Sequence, residues 1–149
     1  MSSPLSPRRR FLQVVAQGGA LAGAACLGVG CGTGLSGTYA AGNVSAVAVD
    51  TLQAISAGPL AIGRDAGGLY AMTLICTHAG CDMASQGSVS FQGVSCNCHG
   101  SQFDANGNRL AGPAQSPLEH YEVTIDTAGA ITINADVSVV ETTRTAVPA

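Results

Sequence analysis

The sequence predicts an all-β domain, and three observations support this. Short apolar stretches recur along the chain with turn-forming residues between them. Beyond the N-terminal segment, no stretch repeats its apolar residues at the three-to-four-residue spacing of an amphipathic helix. The 149 residues include 20 glycines, a proportion that favours many turns over long helices. The length suits one domain once a targeting segment is set aside.

The predicted elements follow one another as hairpins. Structure is expected to begin near Val44, where VSAVAVD alternates apolar and small residues as a strand does. A first hairpin is predicted for PLAIGRDAGGLYAMTLIC, ending at Cys76, and a second for VSFQGVSC, ending at Cys96. Two more are predicted for FDANGNRL and HYEVTIDTAGAITINA, which carry Asn-Gly and DTAG turns. Residues 137–149 are either a late strand or a tail.

The N-terminus has the pattern of an export signal over residues 1–31. SPRRRFLQ precedes an uncharged run rich in alanine and glycine, and Arg8 and Arg9 resemble a twin-arginine pair. The alternative is a single membrane anchor, because the run from Phe11 to Cys31 is just long enough to span a bilayer. LGVGC resembles a lipobox, so lipidation at Cys31 is also open. Residues 32–43 are predicted to be a flexible linker.

Charge excludes one class of partner. The net charge is −3, and three of the six basic residues are Arg8, Arg9 and Arg10. The remainder of the chain has three arginines against nine acidic residues. Nucleic acid is therefore not an expected partner, because phosphate binding needs a basic patch.

Two short motifs, called boxes here, contain the candidate metal-binding residues. CTHAGC offers Cys76, His78 and Cys81, and CNCHGS offers Cys96, Cys98 and His99, each box directly after a predicted strand. Thiolates and imidazoles select zinc, copper or iron-sulfur centres over magnesium or calcium. If each box gives one cysteine and one histidine, two cysteines remain, and in an exported protein those two would form a disulfide.

The two boxes and their spacing resemble the Rieske iron-sulfur proteins, over about residues 44–136. The resemblance implies a Rieske-like antiparallel sandwich of short strands with a cluster-binding subdomain of two loops. It further implies a 2Fe-2S cluster with Cys76 and Cys96 on one iron and His78 and His99 on the other. By the same resemblance, a disulfide joins Cys81 and Cys98.

The resemblance also implies residues that tune the cluster. Ser101 is expected to donate a hydrogen bond to a bridging sulfur, which raises the potential. GPA, residues 112–114, is expected to form a third loop that covers the cluster. Phe103 stands where quinol-oxidising members often have a tyrosine, so one such hydrogen bond is missing. Ala79 and Asn97 replace a frequent leucine and proline, which makes the cluster tip less apolar.

Other interpretations are weaker. A structural zinc site accepts the same ligands but leaves Cys81 and Cys98 unexplained. A Rieske oxygenase needs a catalytic domain for which this length has no room. His120 alternates along a strand outside both boxes and is predicted to lie at the surface.

The expected function is one-electron transfer rather than catalysis by this chain alone. The expected setting is the periplasmic side of a bacterial cytoplasmic membrane, with attachment through an anchor or a lipid. One hypothesis is a carrier, or the small subunit of a periplasmic oxidase; the other is the Rieske subunit of a quinol:cytochrome c reductase. The expected partners are accordingly cytochrome c, a cytochrome b complex or an oxidase large subunit, with quinol as a further candidate.

Overall fold

The computed structural model describes residues 34–148, and within them the chain forms strands with little helix. One four-residue helix, α1, spans Met83–Gln86, and a 3-10 turn spans Val44–Ala46. The strands are β1 Thr38–Asn43, β2 Thr51–Ala54, β3 Leu60–Asp65, β4 Gly68–Thr73, β5 Gly87–Ser90, β6 Gly93–Cys96, β7 Gln102–Asp104, β8 Arg109–Ala111, β9 His120–Ile125 and β10 Ala130–Val139.

The strands form two antiparallel sheets. The larger has the order β1-β10-β9-β4-β3-β2, and the smaller has the order β5-β6-β7-β8. The prediction of an all-β fold is therefore confirmed, as are the four predicted hairpins β3–β4, β5–β6, β7–β8 and β9–β10. Among the described residues, no helix is long and apolar enough to cross a membrane.

The β3–β4 hairpin is the centre of the molecule because both of its faces are buried. In β4, Leu69 and Ala71 face a core made by the larger sheet, whereas Tyr70 and Met72 face a second core that includes residues of the smaller sheet. This explains why the hairpin reads as two nearly continuous apolar runs rather than as alternation. The second core joins the hairpin to Cys76 and Cys96, so the candidate site is built on the most buried part of the fold.

The predicted start of the domain is wrong by several residues. Residues 38–43, expected to be linker, form edge strand β1, whose partner is β10. VSAVAVD, expected to be a strand, instead begins with the 3-10 turn, which the Asn43 side chain caps by accepting from the Ser45 N–H. Val47 is the buried residue of this segment, and it follows the 3-10 turn rather than lying in a strand. The signal, anchor and lipobox predictions lie outside the described residues.

The C-terminal segment is fixed to the central hairpin. Residues 137–139 complete β10, and Thr145 exchanges backbone hydrogen bonds with Leu69 beyond it. Arg144 pairs with Asp65 at 2.7 Å from Nε to Oδ2, and its guanidinium lies 4.2 Å from the centre of the Tyr70 ring. The segment is therefore the end of a strand followed by a stretch that is held against the central hairpin.

His120 is buried, contrary to the prediction that it lies at the surface. Its exposed fraction is 3%, its Nδ1 lies 3.3 Å from the Leu118 carbonyl oxygen, and its Nε2 has no hydrogen-bond partner. The strand alternation is real, but the face of β9 that carries His120 is also covered, with the Tyr70 ring centred 6.1 Å from the histidine ring, so both faces of the strand contain buried positions. Burial lowers the pKa of His120 below its ordinary value of 6.5, and the hydrogen bond to Leu118 opposes this only in part.

We expect the protein to lose stability as the pH falls below about 6.5, in part because of His120. Over that range the unfolded chain takes up a proton at this histidine, whereas the buried neutral ring does not, so protonation favours unfolding. His120→Leu removes this contribution. The melting temperature of the variant, measured between pH 7.5 and 5.5, should therefore fall less than that of the wild type, and parallel curves would contradict this assignment.

Candidate metal centre

The two cysteine boxes form loops with the same backbone hydrogen bonds. In loop 1, residues 76–81, the Cys76 N–H donates to the Cys81 carbonyl at 2.8 Å and the Gly80 N–H donates to the Cys76 carbonyl at 2.9 Å. In loop 2, residues 96–101, Cys96 and Ser101 are joined in the same way at 2.8 Å, and the Gly100 N–H donates to the Cys96 carbonyl at 3.0 Å. The repeated pattern puts the first cysteine and the glycine of each loop in equivalent positions, whereas His78 is the third residue of loop 1 and His99 the fourth residue of loop 2.

The glycine of each loop allows this closure. Gly80 has a φ of +75° and Gly100 a φ of +79°, in the left-handed region that other residues rarely adopt. Loop 1 leaves β4 after Thr73, whose Oγ1 accepts from the Ile75 N–H. Loop 2 connects β6 to β7. Loop 2 therefore begins at the end of a sheet strand, as the sequence predicts, whereas Leu74 and Ile75 separate loop 1 from the end of β4.

A disulfide and a ring contact bring the two loops together. Cys81 and Cys98 form a disulfide, as the resemblance implies. The rings of His78 and His99 meet edge to face with their centres 4.7 Å apart, and both residues are exposed. The loops thus place one histidine each at a single point on the surface.

The first cysteine of each box is buried and close to the other. Cys76 and Cys96 are not in a disulfide, and their exposed fractions are only 3% and 2%. Burial raises the pKa of the Cys96 thiol; the neighbouring Cys76 thiol raises it further, whereas the N–H groups of Cys98 and His99 oppose the rise. The N–H groups directed at Cys96 suit a thiolate, which is the form in which cysteine binds a metal.

A third loop, residues 112–114, packs directly on loop 2. The Ala114 N–H donates to the buried Ser101 Oγ at 3.1 Å. Gly112 has a φ of +86°, and a Cβ atom there would lie 2.5 Å from the Ser101 Cα and 2.6 Å from the Gly100 carbonyl oxygen. The third loop approaches so closely because this position has no side chain.

Loop 1 is tied to the segment after the third loop as well. The Thr77 Oγ1 donates to the Ser116 carbonyl at 2.7 Å. Together with the disulfide and the Ala114–Ser101 hydrogen bond, this contact links all three loops to one another. The backbone segments that carry the potential metal-binding side chains are therefore tied to one another.

Comparison with protein-family models identifies the domain that contains these loops. Residues 37–122, more than half of the chain, match the Rieske 2Fe-2S domain. The chain belongs to the Rieske family. Membership implies a Rieske-type 2Fe-2S cluster as the cofactor. The donor set fits that group, since it contains two buried free thiols, two histidine rings in contact and a disulfide that keeps the other two cysteines out of the ligand set.

Relatives of known function carry the same Rieske domain. The chain is 42% identical over 65 residues to a cytochrome b6-f complex iron-sulfur subunit of a Synechococcus species, an alignment that covers 43% of this chain and 35% of that protein. It is 38% identical over 72 residues to the cytochrome bc1 complex Rieske iron-sulfur subunit of Mycobacterium tuberculosis, which covers 47% of this chain and 17% of that protein. The matched part is thus about a third or less of each relative.

A solved structure shows the same Rieske fold. One chain of the complex of reduced oxygenase and oxidized ferredoxin in carbazole 1,9a-dioxygenase superposes with a TM-score of 0.51 at 22% identity. The match covers 70% of this chain and 99% of that one. At this identity the likeness concerns the fold alone.

The structure brings the predicted Rieske site residues together, but sequence reasoning missed two that hold the loops. Ser101 is buried against the third loop, as expected for a residue inside the site. Thr77 lies within the first box and Arg109 precedes the third loop, and both bind backbone carbonyls of other loop residues. The spacing of residues in the sequence does not predict these hydrogen bonds, because they depend on how close the folded loops lie to one another.

Gly112→Ala is expected to destabilise the protein more than Gly80→Ala does. Both glycines have positive φ, so both variants carry the same backbone strain, about 1–2 kcal/mol. A Cβ atom at Gly80 meets nothing within 4 Å, whereas one at Gly112 overlaps the backbone of loop 2. The additional overlap should cost about 1–3 kcal/mol. Denaturant unfolding measures the difference, and equal losses would mean that the third loop is not packed this tightly.

Proposed function

We propose that this Rieske protein transfers single electrons, with Cys76 and Cys96 holding one iron of the cluster and His78 and His99 the other. The observation that carries this proposal is the arrangement of the four side chains: two free thiols are buried, and two rings from different loops meet at the surface. When bound, a Rieske cluster supplies one-electron chemistry at potentials of about −150 to +300 mV.

The buried cysteines and the exposed histidines have different roles in the proposed site. The buried Cys76 and Cys96 exclude water from one side of the site, since both lie in the apolar core with Val94 and Phe103. The exposed His78 and His99 form the part of the site that a partner can reach. Electrons would therefore enter and leave at the histidine edge.

Ser101 is proposed to raise the potential. Its Oγ accepts the Ala114 N–H, so the hydroxyl hydrogen cannot turn toward Ala114 and can donate to another acceptor. A donor directed at a cluster sulfur stabilises the more negative, reduced state. Phe103 is buried in the same core but has no hydroxyl, so the potential should lie below the upper part of the family's range.

Two settings are consistent with this chemistry. The matched relatives are subunits of cytochrome b6-f and bc1 complexes, which favours a subunit of a quinol:cytochrome c reductase. Ala79, exposed at the tip of loop 1, favours a free or lipid-anchored carrier or a small oxidase subunit, because the tip offers little apolar surface to a quinol pocket. In either setting the partner is another redox protein, with quinol as a further candidate in the reductase.

We also propose that the protein is exported and works on the periplasmic side of the cytoplasmic membrane. The Cys81–Cys98 disulfide supports this, since disulfides persist in oxidising compartments. Arg8, Arg9 and the uncharged run from Phe11 to Cys31 would supply a cleaved export signal or a retained anchor, and the third alternative is lipid attachment at Cys31.

Replacing either His78 or His99 by cysteine is expected to lower the midpoint potential by on the order of a few hundred millivolts. A thiolate adds negative charge where a neutral imidazole stood, which disfavours the reduced state. Voltammetry of the purified variants measures the shift. His120→Cys is the control, because His120 lies outside the loops. Equal potentials for all three variants and the wild type would contradict histidine ligation, as would zinc in place of iron in the wild type.

The two settings predict different results after mild detergent extraction of the membranes. A reductase subunit should co-purify with cytochrome b through a tag on this chain. A carrier should be recovered without it. Quantitation of haem in the tagged fraction separates the two, and either result leaves the electron-transfer proposal in place.

A further inference from the structure

Arg109 makes contacts that neither the function proposed above nor the family match accounts for. It lies in β8, the edge strand that precedes the third loop. Its Nε donates to the Ala114 carbonyl at 2.6 Å, and its Nη2 donates to the Gly112 carbonyl at 2.7 Å. One guanidinium group therefore holds both ends of the third loop.

The guanidinium of Arg109 is directed to backbone rather than to a carboxylate. Among residues 34–148, the one ion pair of an arginine with an acidic side chain is that of Arg144 with Asp65. Two donors in a fixed planar fork restrain a loop more strongly than one flexible point donor does. The contact is thus suited to fixing the position of the loop.

The restrained loop in turn holds the Ser101 hydroxyl. Ala114 receives the Arg109 hydrogen bond on its carbonyl and gives its N–H to the Ser101 Oγ. Ala114 and Ser101 are both fully buried. A displacement of the loop would therefore release the hydroxyl from the N–H that orients it.

We propose that Arg109 is a positioning residue that sets the redox potential through Ser101. By holding the third loop, it keeps the Ala114 N–H on the Ser101 oxygen and leaves the hydroxyl hydrogen directed at the cluster. This role rests on the proposed function, since it requires a cluster whose potential Ser101 raises. Arg109, an exposed residue outside both boxes, would thus influence the redox potential without contacting the cluster.

The test is a double-mutant cycle on the midpoint potential of the cluster-loaded protein. The variants are Arg109→Lys, Ser101→Ala and the two combined. Lysine keeps the positive charge but loses the two-donor fork, so a shift reports on loop position rather than on net charge. Arg64→Lys is the matched control, because Arg64 also donates to a backbone carbonyl, that of Val47 at 3.0 Å, but does so from β3 outside the three loops.

Ser101→Ala is expected to lower the potential, and Arg109→Lys to lower it by a smaller amount. In the Ser101→Ala background the Arg109→Lys shift should disappear, and Arg64→Lys should leave the potential unchanged in both backgrounds. Hydrogen exchange of the peptide covering residues 109–116 should be faster in Arg109→Lys than in wild type.

Different failures overturn different statements. An Arg109→Lys shift of equal size in both backgrounds, or none in either, overturns the role of Arg109 and leaves the proposed function intact. Loss of the cluster in both Arg109→Lys and Arg109→Gln, with Arg64→Lys still loaded, also overturns it, because Arg109 would then be a structural residue. A wild-type protein without iron overturns the proposed function and this role together.

Discussion

The site depends on three loops being tied to one another by a disulfide and hydrogen bonds. The Cys81–Cys98 disulfide joins loops 1 and 2, and the hydrogen bond between Ala114 and Ser101 joins loop 2 to the third loop. The Thr77 hydroxyl of loop 1 donates to the carbonyl of Ser116, which follows the third loop. Because ligand side chains can be no better placed than the backbone that carries them, these links determine whether four donors from two separate boxes act as one site.

The sheets supply the rigid base for these loops. The central hairpin is buried on both faces, so the strand that leads into Cys76 is held by two cores at once. Cys96 lies at the end of β6 in the smaller sheet, and it shares a core with Phe103. The two cysteines are therefore held in the core, whereas His78 and His99 are exposed and can be reached by a partner protein.

Local signals in the sequence predicted most of this arrangement. Turn residues between apolar runs predicted the four hairpins, and the resemblance carried by the two boxes implied the Cys81–Cys98 disulfide. The errors came where tertiary packing decides the burial of a residue. Val47 is buried without being in a strand, and His120 lies in a strand with buried positions on both faces. Arg109 could not be identified at all, because its role depends on which carbonyls the folded third loop presents.

The most direct test of the account is a low-temperature electron paramagnetic resonance spectrum of the dithionite-reduced wild-type protein. Ligation of a 2Fe-2S cluster by two sulfurs and two ring nitrogens predicts a rhombic signal whose average g-value lies below that of clusters with four cysteine ligands. A signal with the higher average typical of all-sulfur ligation, or a protein that is colourless and contains zinc, would contradict the assignment of His78 and His99 as ligands.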